Sequence, residues 1–243
     1  MLPLLLPLII RFGAQAPKTF KQLELAKIVA FHELKSVHLE EMLTTENGGA
    51  ATPGGASRTS IFQEGNRVHW LFSAPDGTRV EALDDGLTTW LIFHHRKEYW
   101  VMSDNKLPAF KAEQKLIEAP PGQFKFNPMG TGPFQFASNP PPEIESIASA
   151  VLDGETLRKV VASVTSAKGN RLTVTQYFVP DRWVAKRAEV TIVGPSTNVR
   201  MSARLTTLDF HPAFTHGEFQ FDPSKVKGYE RHEGLPPAGF GVG

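Results

Sequence analysis

The sequence predicts an α+β domain that is mainly β: an antiparallel sheet of about ten strands with helices on one side. Three observations carry this. Short runs of period-two alternation recur along the chain, and most are separated by brief stretches rich in Gly, Pro, Asp or charged pairs. Helical periodicity appears in only two separate places, not between every pair of strands as a parallel sheet requires.

In chain order, the first segment is MLPLLLPLIIRFGAQA. The apolar run Leu2 to Ile10 is too short to span a bilayer, which takes about 20 residues, and Ala14-Gln15-Ala16 has the small-x-small pattern of a leader cleavage site. Residues 1–16 are therefore expected to be a secretory signal peptide, although the first cation, Arg11, follows the apolar run. The mature chain then begins near Pro17 and forms one domain, 17–243. Phe20, Leu23, Lys27, Ala30, Phe31 and Leu34 follow at helical spacing, an apolar stripe with one cation intruding on it.

Two β-like runs, VHLEEMLTTE and RTSIFQE, flank the spacer NGGAATPGGAS, and then RVHWLFS, TRVEAL, LTTWLIFHH and EYWVMS form a predicted meander. In Arg67–Ala82 the residues Val68, Trp70 and Phe72 share one face of a strand, as Val80 and Ala82 do on the next. In LTTWLIFHH both faces carry apolar residues, Trp90 and Ile92 on one and Leu91 and Phe93 on the other, as in a strand buried on both sides.

Residues 105–154 form an expected irregular helical insert, rich in Pro and Gly, and such inserts are usually functional or mobile. GQFKFNPMGTGPFQF within it presents Phe124, Phe126, Met129, Phe134 and Phe136 as a candidate lid, or as a loop tucked into the core. NPPPEIESIASAVLDG predicts a helix with Asn139 as its cap and Ile144, Ile147 and Val151 on an apolar stripe. Strands resume from Glu155, ending in a run with Val199, Met201, Ala203 and Leu205 on one face. In the closing GEFQF, period two predicts Phe219 and Phe221 together on the covered face, with Glu218 and Gln220 facing water.

Lys+Arg 26 against Asp+Glu 25 gives a net charge of +1, without the basic excess that attracts phosphate backbones, so nucleic acid is not an expected partner. The chain has no Cys, which excludes disulfides, thiol nucleophiles and an acylated cysteine anchor. Eight histidines raise the question of metal, with His211, His216 and Glu218, or His69 opposite His94 or His95, as the candidates. None has the close spacing of a zinc motif, and structural or surface roles are expected. Asp84-Asp85-Gly86 is a predicted turn, not a carboxylate pair, because adjacent strand side chains point to opposite faces. No nucleophile elbow, phosphate loop or Ser-x-x-Lys motif is present. The expectation is a binding protein with no catalytic residues, no metal and no cofactor.

Several motifs in order resemble the periplasmic lipoprotein-carrier (LolA-like) superfamily: the leader, the N-terminal helix, the aromatic strand running into Pro75, Arg79-x-Glu81, the Asp85-Gly86 turn, Trp90, and Phe219-x-Phe221-x-Pro223 with Gly228 after it. The resemblance implies an incomplete antiparallel β-barrel with helices covering its concave face, and a periplasmic or secreted carrier of lipid or lipoprotein acyl chains. Trp70, Phe72, Val80 and Trp90 would then line the cavity, with Ile92 beside them and Ile144, Ile147 and Val151 presented by the second helix. The runner-up is a protein-interaction or sensor domain like the N-terminal domain of RseB, engaging a membrane-associated partner; a lipid-modifying enzyme is a third class. One departure is Ala74, which stands where the lipoprotein carrier has an arginine that helps hold its lid shut.

Overall fold

The computed structural model describes residues 16–47, 50–51, 55–103, 119–121, 123–127, 135–234 and 236. The expected leader lies outside them except for Ala16, as do Met129 and Phe134 of the candidate lid. Among the described residues, no helix is long and apolar enough to cross a membrane.

The single α-helix of the described chain, α1 (Phe20–His32), starts where the sequence provides a capping box: Thr19 accepts from the Gln22 amide, and the Gln22 side chain accepts from the Thr19 amide. Then come β1 (Ser36–Asn47), β2 (Ala50–Ala51), β3 (Ser57–Glu64), β4 (Arg67–Ser73), β5 (Arg79–Asp84), β6 (Thr88–Phe93) and β7 (Glu98–Ser103). A hairpin of β8 (Phe124–Asn127) and β9 (Gln135–Ser138) stands apart as its own two-stranded sheet. β10 (Glu143–Leu152), β11 (Glu155–Thr165), β12 (Arg171–Phe178), β13 (Ala185–Gly194) and β14 (Thr197–Asp209) form a second meander, and β15 (Glu230–Glu233) closes the series.

Thirteen of these strands make one open, curled sheet in the order β10-β11-β12-β13-β14-β1-β3-β4-β5-β6-β7-β15, with β2 paired to the end of β1. The sheet is therefore two meanders joined along a seam, where β1 pairs antiparallel with β14 from His38↔Asp209 to Asn47↔Val199. β15 alone is parallel to its neighbour, β7.

The mainly β class and the open, barrel-like sheet agree with expectation, but the strand count is higher than about ten and one predicted helix is absent. Residues 139–154, expected to be helical, hold β10 instead. The cause is a β-bulge: pairing with β11 shifts between Ile144 and Ser146, so Ile144 opposes Ala162 while Ile147 opposes Val160. The extra residue puts two inward side chains three positions apart, which in sequence imitates a helical stripe.

The cross-strand register assigns every side chain to one of two faces. The inner face carries Trp70 and Phe72 (β4), Val80 and Ala82 (β5), Leu91 and Phe93 (β6), and continues over the seam to Val190 and Ile192 (β13), Leu172 and Val174 (β12) and Val160 (β11). These residues form one cluster with Phe20, Leu23, Ala26 and Phe31 of α1, so the helix lies on this face. At about 25 cal/mol per Å² of apolar surface removed from water, this packing stabilises the fold.

The outer face of the first meander is covered as well. After β14 the chain runs across it through Phe214 and two 3-10 turns, His216–Phe219 and Pro223–Val226, before β15. Phe214 packs edge-on to Phe62 and Phe219, Arg67 lies over the Phe219 ring, and Phe221 stacks on Trp90 at 5.0 Å. Both predicted rings thus meet the sheet, but on the outer face, Phe219 from the end of a 3-10 turn and Phe221 from the stretch after it, not from a strand; Phe219 is buried, Phe221 half-buried, Gln220 exposed and Glu218 half-buried. Ring packing, not ladder hydrogen bonding, holds this strap.

Candidate functional site

The inner face and the hairpin beside it form the candidate site. Trp70 and Phe72 lie stacked with ring centroids 6.1 Å apart and, like Val80, are buried in the inner-face cluster. Ile144 and Ile147 are half-buried against the same cluster. The other predicted residues lie elsewhere. Trp90 and Ile92 pair with Leu83 and Glu81 and point to the outer face, Trp90 beneath Phe221. Leu91 and Phe93 take their place inside. Val151 is 73% exposed near the end of β10 and lines nothing.

Phe136, on β9, is buried in the inner-face cluster beside α1, whereas Phe124, on β8, is exposed. Where the hairpin meets the sheet there is a cleft of about 290 Å³ lined by Phe124, Asn139 and Pro140 on one side and Val164, Leu172 and Ile192 on the other. The last three are inner-face positions, so the cleft opens onto the same apolar surface that α1 covers. A second, more open space of about 410 Å³ lies beyond β9, beside Phe20, Lys21 and Glu24 of α1. Both volumes are near the lower end of the range for small-molecule sites.

The boundary between helix, hairpin and sheet is polar. Glu24 and Lys27, one turn apart on α1, form an ion pair at 2.8 Å with both side chains buried. The Glu24 carboxylate also accepts from the Phe136 amide at 3.3 Å and from Gln176 Nε2 on β12 at 3.3 Å. Burial pushes the Lys27 ammonium below its ordinary value, and Glu24 opposes that shift. The cation that intrudes on the predicted stripe is thus explained: its side of the helix faces the hairpin, with Lys27 Nζ 5.3 Å from the Phe136 ring centroid. Glu41, on β1 opposite Thr59, is buried too, and desolvation raises its carboxyl to about 8, so it is neutral at neutral pH.

On the outer face, His69 and His94 each place Nε2 against one oxygen of the Glu81 carboxylate, at 2.8 and 3.0 Å, and Tyr229 of the strap meets His94 Nδ1 at 3.2 Å. Burial acts to raise the Glu81 pKa, but the two imidazole hydrogen bonds outweigh it and hold the carboxyl down at about 2. His69 and His94, weighed as a metal pair in the sequence, are joined through this carboxylate. Among the described residues no group of three or more His, Asp or Glu side chains is arranged to hold a metal ion. The Asp84-Asp85-Gly86 turn is as predicted: Asp84 accepts from the Gly86 amide and Asp85 from the amides of Leu87 and Thr88, with Gly86 at φ +98°.

The polar contacts of Glu24 were not foreseen in the sequence, where only the misplaced Lys27 hinted at them. Val164, Leu172 and Ile192 looked like ordinary inward strand residues, and nothing local marked them as lining a cleft.

No family model matches the chain, and no curated protein matches it in sequence. Solved structures similar to it include an uncharacterized conserved protein from Thermus thermophilus, 8% identical, covering 88% of this chain and 98% of that one with a TM-score of 0.42. Another is from the MucA/MucB complex of Pseudomonas aeruginosa, 12% identical, with 83% and 60% covered and a TM-score of 0.42. A third is a LolA superfamily protein from Nitrosomonas europaea, 10% identical, with 84% and 99% covered and a TM-score of 0.35.

Proposed function

We propose that this protein is an exported, non-enzymatic carrier or binding protein for the acyl chains of a lipid or lipoprotein, which lie between α1 and the inner face. The observation that supports this most is the cleft under the β8–β9 hairpin, whose floor of Val164, Leu172 and Ile192 is continuous with the apolar cluster that contains Trp70 and Phe72. An acyl chain entering there packs on this apolar floor while Ser138, Ser166, Lys168 and Asn170 border it, and each buried CH₂ contributes about 0.8 kcal/mol. The order of motifs that resembles the lipoprotein-carrier superfamily supports the same reading, as does the leader-like segment, which favours a periplasmic or secreted protein.

The test is titration of delipidated protein with a fluorescent fatty acid and a fluorescent lipopeptide, followed by native tryptophan emission. Val164→Trp fills the cleft from a half-buried position and is expected to weaken binding at least tenfold, with an unchanged far-UV spectrum. Trp70→Ala removes a buried ring stacked on Phe72, so it costs stability, and it is expected to alter acyl affinity as well. A loss of roughly 3–5 kcal/mol without an effect on the probe is the signature of sealed core instead. Failure of the unmodified protein to bind either probe at micromolar concentration overturns the proposal.

A further inference from the structure

The two edges of the open sheet differ in kind. β15 is four residues long, Glu-Arg-His-Glu, and so is both short and charged. β10 is ten residues long and contains no Lys, Arg or Pro. Its Ser146, Ala148 and Ser149 are exposed, as is Val151, an apolar side chain on an edge. Sheet edges discourage pairing by shortness, charge, proline or a bulge; β15 has the first two, while β10 has a bulge and carboxylates only at its start, Glu143 to Ser146.

We propose that β10 is the pairing edge for a second copy of this chain, antiparallel about a two-fold axis perpendicular to the sheet at Ser149. Residues 146–152 are the regular part of the strand beyond the bulge, and Ser149 is their midpoint. A perpendicular two-fold keeps the faces in register, so Ile147 of one copy meets Val151 of the other on the inner face, and the exposed valine is covered. Charge selects the direction. Parallel self-pairing sets Glu143 and Glu145 of the two copies against each other, which is destabilising, whereas the antiparallel arrangement leaves both carboxylates outside the paired stretch. Glu145 is in any case engaged by Arg171 at 2.8 Å within its own sheet.

The absence of cysteine makes the test direct. Cα atoms of residues facing each other across an antiparallel pair lie about 4.5–5.5 Å apart, within reach of a disulfide. Ser149→Cys is expected to form a covalent dimer under mild oxidation, while Val193→Cys, also exposed but on β13, does not. Sedimentation of the unmodified chain is expected to show a monomer–dimer equilibrium, with Val151→Lys weakening it at least tenfold while leaving the far-UV spectrum and melting temperature unchanged. A monomer at all concentrations up to the order of 100 μM, or a dimer that Val151→Lys leaves intact, overturns the proposal. Acyl binding is measured on separate variants, so either proposal can fail alone.

Discussion

The two meanders of this sheet are built from similar strands but covered differently. β3–β7 are covered on both faces, by α1 inside and by the strap outside, whereas β11–β14 are covered on the inner face and present Thr173, Thr175, Glu189, Arg200 and Arg204 on the other. A strand with two covers carries apolar residues at successive positions, as β5 does with five consecutive buried residues from Val80 to Asp84. A strand with one cover alternates, as β12 does from Arg171 to Phe178. The difference assigns the two covers separate tasks: the strap secures the outside of the first meander, and the hairpin borders an apolar cleft that reaches the inner face.

The strongest way to break this contrast is Phe219→Ala. Removing a buried ring between strap and sheet is expected to cost roughly 3–5 kcal/mol, while Thr173→Ala on the uncovered face stays within about 0.5 kcal/mol. Equal melting temperatures for the two variants would make the strap a passenger. Next is Glu24→Ala, which removes the carboxylate paired with the buried Lys27 and is expected to destabilise by about 3–5 kcal/mol in chemical denaturation. The double variant Glu24→Leu/Lys27→Met should recover most of that loss; if it recovers none, the contacts of Glu24 with Phe136 and Gln176 matter more than the ion pair.

Glu41 sharpens the comparison at the seam. Its carboxyl titrates near 8 when folded and near 4.5 when unfolded, so between those values the folded state holds the extra proton and stability falls as pH rises. Glu41→Gln removes that slope, with a relative gain at pH 8 over pH 5 on the order of 3 kcal/mol, read from denaturation midpoints at the two pH values. The smallest expected effect is at Glu81. Its folded value of about 2 lies below the unfolded one, so its contribution is present above about pH 4.5 and is lost as pH falls toward 2. Unmodified protein should therefore converge in stability with Glu81→Gln on acidification; a constant difference would mean that the histidines do not hold the carboxylate ionised.

What could be foreseen in the sequence follows the same division. The alternation of β12 to β14 was legible because water on one face enforces polar residues there. The register of β6 was not, because Trp90 and Ile92 face a side covered by a strap that arrives from more than 120 positions away, with Phe221 stacked on Trp90, and no local pattern announces it. In β10 a bulge disguised a strand as a helix. That Trp70 and Phe72 share a face was legible because β4 alternates, and that face packs against the helix. The cleft depends on a hairpin brought against β11–β13 by the fold, which residue patterns along one strand do not contain.

The seam has a consequence for how the molecule assembles. Nearly every ladder joins strands adjacent in sequence, but along the seam the Thr44 hydroxyl donates to the Ser202 carbonyl across 158 positions. Closing so long a loop costs entropy before any contact compensates, so each meander has reason to collapse first and the seam to join late. The molecule then behaves kinetically as two hairpin arrays that find each other, and a backbone cut between β7 and β10 would leave β1–β7 and β10–β14 each unbroken, with the strap and β15 carried on the second fragment to clasp the first.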